Sequence, residues 1–135
     1  MRDDRLRQLS PTFGDLLAAH GGRKTQLAAC RLAAAVVRLD DDHVAAALGA
    51  LSSSGPDRAF ARLSQQLADH YDEAAWAAQG SEAETEYESL FRRARAAAAL
   101  AFAHSDNASD AVYEAAHAFN DTDQFASALR AALST

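Results

Sequence analysis

Residues that favour β-strands are scarce in this sequence. Valine and isoleucine are nearly absent, whereas alanine supplies 35 of the 135 residues. Glycine and proline, which interrupt helices, together supply only eight residues. Alanine loses no side-chain entropy in a helix, while strands favour β-branched residues. The composition therefore predicts an all-α fold.

Cysteine is limited to Cys30, so the chain cannot form an internal disulfide. No apolar run approaches the length of about 18 residues that a membrane span requires. Four of the first five side chains are charged, at a place where a secretory signal would need an apolar segment. We therefore expect a cytoplasmic protein without membrane contact. Its length of 135 residues predicts a single domain over residues 1–135.

Catalytic motifs are also missing. The chain has no Gly-x-Ser-x-Gly elbow and no glycine-rich phosphate loop. The segment Gly21 to Thr25 looks superficially like the end of such a loop, but it lacks the first glycine and a preceding strand. We interpret it as the end of one helix and the start of the next. The expectation is a non-enzymatic protein with no catalytic residues and no cofactor.

Basic side chains are missing between Arg62 and Arg92, and charge is segregated along the chain. Residues 1–39 contain seven basic and three acidic side chains, a balance of +4, whereas residues 40–91 contain two basic and eleven acidic ones, a balance of −9. The formal net charge of −6 argues against nucleic-acid binding. The concentration of acidic side chains in residues 40–91 instead favours binding to a basic partner. That partner is either another protein or the basic segment of a second copy of this chain.

Two helix-length segments, residues 56–79 and 82–104, meet at a single break at Gly80-Ser81. Gly80 ends the first segment, and Ser81 to Glu84 forms a capping box that starts the second. Such a short connection predicts a long antiparallel hairpin. The remaining periodic segments bring the expected total to about six or seven helices in one bundle.

The hairpin is predicted to bury an apolar stripe on each arm. On the first arm the stripe comprises Phe60, Leu63, Leu67, Tyr71, Ala74 and Ala78. The second arm is apolar on all sides from Ala94 to Ala103, so this half should lie at the centre of the bundle. Because alanine buries little area, such a core is thin, and a homodimer is one way to extend it.

Several charged residues near predicted helix ends are expected to stabilise those helices rather than to bind a ligand. Asp40, Asp41 and Asp42 are expected to cap the following helix. His104, like His20, is expected to favour the helix dipole as a cation. Lys24, Arg31 and Arg38 recur every seven residues and predict one polar seam on an otherwise apolar helix.

An acidic, aromatic surface is predicted around the hairpin turn. Its candidate partner-binding residues are Asp69, Asp72, Glu73, Trp76, Glu82, Glu84, Glu86 and Glu88. Trp76 should face away from the hairpin core, and an aromatic anchor among carboxylates is typical of an interface. Two other interpretations stay open: Trp76 covers another part of the same chain, or the acidic run is an ordinary solvated face.

The preferred hypothesis is therefore a helical protein-interaction module, with an immunity or antitoxin role as one specific version. A metal- or small-ligand-binding bundle, with enzymatic activity as one version, is the alternative. Glu114 and His117 match the Glu-x-x-His spacing of di-iron bundles, and His70 and Glu73 offer the reverse order. A complete di-iron site needs a second such motif and two more inward glutamates, so metal binding is the weaker hypothesis.

Overall fold

In the computed structural model, the residues described are 2–79 and 84–134, and they form eight α-helices and no strand. The helices are α1 (Arg2–Leu9), α2 (Pro11–His20), α3 (Gly22–Val36), α4 (Asp42–Ser53), α5 (Arg58–Ala78), α6 (Glu84–His104), α7 (Ala108–His117) and α8 (Thr122–Leu133). The all-α prediction is confirmed, with eight helices in these ranges where six or seven were expected. None of the described helices combines the length and apolar character needed to cross a bilayer.

Short polar residues set several helix starts. Ser10 accepts a hydrogen bond from the amide of Thr12 and precedes proline at the first position of α2. Asp57 accepts from the amides of Ala59 and Phe60, at 2.8 and 3.2 Å, so α5 begins after this cap rather than at Pro56. A carboxylate that satisfies two free amides therefore sets this boundary.

The predicted cap cluster before α4 behaves differently. Asp41 occupies the cap position, but its side chain makes no capping hydrogen bond. It interacts instead with the hydroxyl of Tyr71 on α5. Asp42 lies in the first turn of α4, where its charge favours the helix dipole. The sequence could not reveal that a distant phenol competes for Asp41.

The centre of the bundle is built mainly of alanine. The half of α6 from Ala94 to His104 is buried almost throughout, with α3, α4, α5 and α7 packed around it. More than half of the buried hydrophobic residues in the described ranges are alanines. Larger side chains such as Phe13 and Phe125 fill the space between the shorter helices, their rings 5.4 Å apart. Small side chains let the helix axes approach closely, which gives the dense packing of this core.

Helices α5 and α6 share the most extensive interhelical contact. The residue preceding α5, Asp57, hydrogen-bonds His104 at the end of α6, and Asp72 contacts Arg95. The start of α5 thus lies beside the end of α6. The predicted break at Gly80-Ser81 and the capping box before Glu84 lie outside the described residues.

The buried side of α5 differs from its predicted apolar stripe. Its buried residues are Ser64, Ala68 and Ala75, whereas Leu63 is 47% exposed, so the inward placement of Leu63 was wrong. Phe60 and Tyr71 pack at the edge of the core and are only partly buried. Small residues face α6 because close helix approach leaves no room for large ones, and the larger side chains flank the contact.

Candidate functional site

Trp76 dominates the outer surface of α5. It is the only tryptophan in the chain, and its side chain is 77% exposed. The interpretation that Trp76 covers another part of the chain is not supported by the described residues. Asp72 and Glu73 precede it by four and three residues, so their side chains lie on the same side of the helix. An exposed indole beside two carboxylates is the starting point of the site.

Arg95 joins this surface to the bundle interior. Its guanidinium group donates to Asp72 at 2.7 Å and to Glu114 on α7 at 2.9 Å. The Arg95 side chain is only 20% exposed and that of Glu114 11%. Asp72, at 43%, is the outermost member. The carboxylate of Asp72 is therefore paired within the chain, although it shares Arg95 with Glu114.

Two aromatic rings of α6 adjoin this ion pair. The guanidinium of Arg95 lies 5.3 Å from the centre of the Phe91 ring, and Phe91 stacks with Tyr87 at 6.2 Å. Phe91 is 36% exposed. We call the surface formed by Asp69, Asp72, Glu73, Trp76 and Phe91 the tryptophan face. It includes two exposed aromatic residues, Trp76 and Phe91, and the carboxylate of Asp72 that pairs with Arg95.

The other predicted acidic residues do not all join the tryptophan face. Glu86 is exposed, but it precedes Arg95 by nine residues, which places it about 180° around α6 from that side chain. Glu88 precedes Arg95 by seven residues and therefore lies on nearly the same side of α6, but its carboxylate pairs with Arg92 at 3.3 Å. Glu84 begins α6, its side chain falls outside the described part of the chain, and so does Glu82. Of the described glutamates of α6, Glu86 thus lies away from Arg95, and Glu88 is paired with Arg92.

Within the tryptophan face, charge compensation is uneven. Asp69 accepts a hydrogen bond from the amide of Gln65 at 3.0 Å, which leaves its charge unbalanced. Glu73 is exposed and forms no ion pair with any residue that the structure describes. Asp69 and Glu73 therefore supply the net negative charge that surrounds Trp76.

The metal candidates Glu114 and His117 both lie on α7. Glu114 is engaged by Arg95, and the Nδ1 atom of His117 lies 2.9 Å from the carbonyl oxygen of Tyr113. His70 and Glu73 are both exposed on α5. Across residues 2–79 and 84–134, no group of three histidine, cysteine or acidic side chains has the geometry to hold a metal ion.

Arginines surround a cleft that the sequence did not predict. It has a volume of about 390 Å³ and lies between the first half of α6, the end of α3 and the connection from α7 to α8. Arg38, Arg92 and Arg93 line it, together with Glu88. We call it the arginine cleft. The only sequence signal was the Arg92-Arg93 pair, because the approach of Arg38 depends on how α3 packs against α6.

Arg93, one of the residues that line this cleft, also acts electrostatically on Tyr71 of α5. Burial raises the pKa of the Tyr71 phenol, and the nearby carboxylates of Asp41 and Asp40 act in the same direction. Arg93 opposes them by favouring the phenolate. Arg93 therefore lines the arginine cleft and also shares the surroundings of Tyr71 with two carboxylates near the start of α4.

Cys30 is not a nucleophile in this fold. It is 2% exposed, and burial raises the pKa of its thiol to about 12. A thiol with that pKa is protonated at neutral pH, whereas nucleophilic attack requires the thiolate. Cys30 therefore serves as a small hydrophobic residue of the α3 core.

Comparison with protein-family models, curated proteins and solved structures finds no match to this chain.

Proposed function

We propose that this protein is a helical interaction module that binds a basic protein partner through the tryptophan face. The observation that carries the proposal is the 77% exposure of Trp76 beside Asp69 and Glu73. Tryptophan is the residue type most enriched at the energetic centres of interfaces. A partner that covers it removes a large apolar surface from water, on the order of 150–250 Å² for one aromatic side chain.

The carboxylates of the tryptophan face that form no ion pair with a described residue indicate that the partner is basic. Arg95 already has two carboxylate partners, so it does not offset the charges of Asp69 and Glu73. A lysine or arginine of the partner would contact these two carboxylates at the rim while Trp76 and Phe91 form the apolar centre. This arrangement matches the apolar centre and polar rim of known interfaces.

Two kinds of basic partner fit this chemistry. One is a separate basic protein, and an immunity or antitoxin role toward a basic enzyme is a specific version of it. The other is a second copy of this chain, whose Lys24 and Arg31 are exposed along α3. A second copy also offers an apolar complement to Trp76, because Arg31 borders an open pocket lined mainly by Ala34, Ala35 and Leu48. The oligomeric state of the purified chain distinguishes the two partners.

The test compares partner binding by the wild type with binding by Trp76→Ala and Glu73→Lys. The wild-type chain is used to capture a partner from cell extract. The purified partner is then titrated with the wild type and each variant at several salt concentrations. We expect Trp76→Ala to weaken binding by about 30-fold, as for an interface hot spot. Glu73→Lys should weaken it most at low salt, because the lost attraction is electrostatic.

Leu63→Ala is the matched control. Leu63 is also an exposed hydrophobic residue of α5, but it lies about 140° around the helix from Trp76. Its substitution should leave partner binding unchanged. Equal binding by the wild type, Trp76→Ala and Glu73→Lys would exclude the tryptophan face as the interface. Light scattering of the purified chain identifies a second copy as the partner if a dimer forms and Trp76→Ala dissociates it.

A further inference from the structure

The arginine cleft concentrates positive charge in a chain whose formal net charge is −6. Three arginines and one glutamate line it, an excess of two positive charges. Arginines that converge in this way repel one another, so the arrangement costs stability unless an anion compensates it. The cleft lies on a different side of α6 from Phe91, so it is separate from the tryptophan face.

Each arginine is held in a different way. Arg92 pairs with Glu88 one turn earlier, at 3.3 Å. Arg93 uses its Nε atom to donate to the carbonyl oxygen of Val37, also at 3.3 Å, which leaves its two terminal nitrogens for other partners. Arg38 is exposed and forms no ion pair with any described carboxylate. Arg38 is therefore the least compensated charge at the cleft.

The backbone at Arg38 adds an independent observation. Its φ of 55° lies in the left-handed region, where glycine or asparagine is the usual residue. The turn closes α3 through a 2.8 Å bond from the Leu39 amide to the Ala34 carbonyl oxygen, an arrangement that glycine normally supports. Ending the helix does not require an arginine at this position. The arginine does, however, place a long cationic side chain at the edge of the cleft.

The rest of the cleft suits the body of a small molecule. Val36 is 46% exposed and forms an apolar wall. Ser89, Asn120 and Gln124 supply hydroxyl and amide groups that can donate and accept hydrogen bonds. A volume of about 390 Å³ falls within the range of small-molecule sites.

We propose that the arginine cleft binds a phosphate monoester, with the phosphate held by Arg38 and Arg92 and an uncharged body packed against Val36. Arginine is well suited to phosphate because its planar group can donate two parallel hydrogen bonds to the oxyanion. A dianionic phosphate matches the excess of two positive charges. Glu88 pairs with Arg92 and holds its side chain in place without a ligand. When the phosphate binds, it competes with Glu88 for Arg92.

The test measures the binding of phenyl phosphate and inorganic phosphate to the full chain by calorimetry at low salt. Both should bind, and phenyl phosphate should bind more tightly because its ring contacts Val36. Arg38→Asn should weaken both by about tenfold or more, and asparagine tolerates the positive φ, so the fold is retained. Val36→Ser should reduce the advantage of phenyl phosphate over inorganic phosphate and leave inorganic phosphate binding unchanged.

Arg31→Asn is the matched control, because Arg31 is an exposed arginine of α3, seven residues before Arg38, and does not line the arginine cleft. It should bind both probes as the wild type does. The proposal would be overturned if neither phenyl phosphate nor inorganic phosphate bound. It would also be overturned if Arg31→Asn and Arg38→Asn weakened phosphate binding equally. In the second case the effect would come from the overall charge rather than from this site. Neither result would affect partner binding by the tryptophan face.

Discussion

The guanidinium group of Arg95 donates a 2.9 Å hydrogen bond to Glu114, and this contact joins α6 to α7. The Glu114 side chain is only 11% exposed, so its charge depends on this arginine for compensation. The same contact occupies the glutamate that the sequence offered as a metal ligand. One arginine thus pairs with both the nearly buried Glu114 and the more exposed Asp72, and the three groups together carry a net charge of −1.

Arg95→Met is expected to lower the free energy of unfolding by about 2–4 kcal/mol, because it leaves a nearly buried carboxylate without its partner. Urea denaturation measures the change. The double variant Arg95→Met with Glu114→Gln should recover part of the loss, because a neutral amide is less costly to bury than a carboxylate. A single variant within about 0.5 kcal/mol of the wild type would contradict the role given to Arg95.

Trp76 should report the charge of its surroundings through its fluorescence. Because it is the only tryptophan and is 77% exposed, soluble quenchers reach it directly. At low salt, a cationic quencher such as caesium should be more effective than the anionic quencher iodide, since Asp69 and Glu73 attract cations. The double variant Asp69→Asn with Glu73→Gln should remove most of this preference. Equal quenching by both ions in the wild type would show that these carboxylates do not dominate the local field.

His104→Ala should lower the free energy of unfolding by roughly 2–4 kcal/mol. The imidazole is 3% exposed, its Nδ1 atom accepts from the Asp57 amide at 3.0 Å, and its Nε2 atom donates to the Ala47 carbonyl oxygen at 2.8 Å. Truncation leaves both backbone groups without this partner and opens a cavity. The substitution His70→Ala, at an exposed position of α5, is the control and should change stability by less than about 0.5 kcal/mol. Similar thermal stability of both variants would contradict the bridging role of His104.

Gln26→Met should raise the free energy of unfolding by about 1 kcal/mol. The Gln26 side chain is fully buried, and neither of its amide atoms has a hydrogen-bond partner among the described residues. An unsatisfied buried amide carries a desolvation cost of about 1–3 kcal/mol, and methionine has a similar shape without that cost. Chemical denaturation measures the gain, and a loss of stability would reveal a hydrogen bond made by the Gln26 amide.

Cys30 should make the fold sensitive to alkaline pH. Its thiol has a pKa of about 12 in the folded chain against an ordinary value of 9.0. Below pH 9 both states are protonated and stability is unaffected. Between pH 9 and 12 the unfolded chain loses the proton while the folded chain keeps it, so stability falls as the pH rises.

Thermal denaturation across this pH window should show a steeper loss for the wild type than for Cys30→Ala, which retains all other titrating groups. Thiol alkylation at pH 8 should likewise be slow in buffer and fast in denaturant. Parallel loss of stability in the two proteins would show that other groups cause it.

Helix boundaries and the fold class follow from local chemistry. Alanine content, Ser10-Pro11 and the periodic apolar residues act within a few positions of one another, so the sequence alone predicts helices and their approximate ends. The errors lie where a distant group intervenes. His104 was interpreted as a cation at a helix end, but the amide of Asp57 donates to its Nδ1 atom, which requires a neutral imidazole. Nothing near His104 in the sequence signals this bond.

Trp76 shows the same difference between what local sequence predicts and what helix packing decides. Helical periodicity placed it away from the hairpin core, since that depends only on its position around α5. Whether the acidic residues of α6 contribute to its surface depends on how α5 and α6 pack and on which partners they find. Glu86 lies about 180° around α6 from Arg95, and Glu88 is paired with Arg92.

The sequence by itself determined an all-α chain, its helix boundaries within a few residues and its segregation of charge, because these depend on residue type and local spacing. Only the tertiary structure decided which charges compensate one another. Arg95 reaches Asp72 and Glu114 across 23 and 19 residues of sequence, and Arg38 meets Arg92 and Arg93 at one cleft through the packing of α3 on α6. Such contacts depend on the relative rotation and distance of packed helices, and local sequence patterns do not specify either.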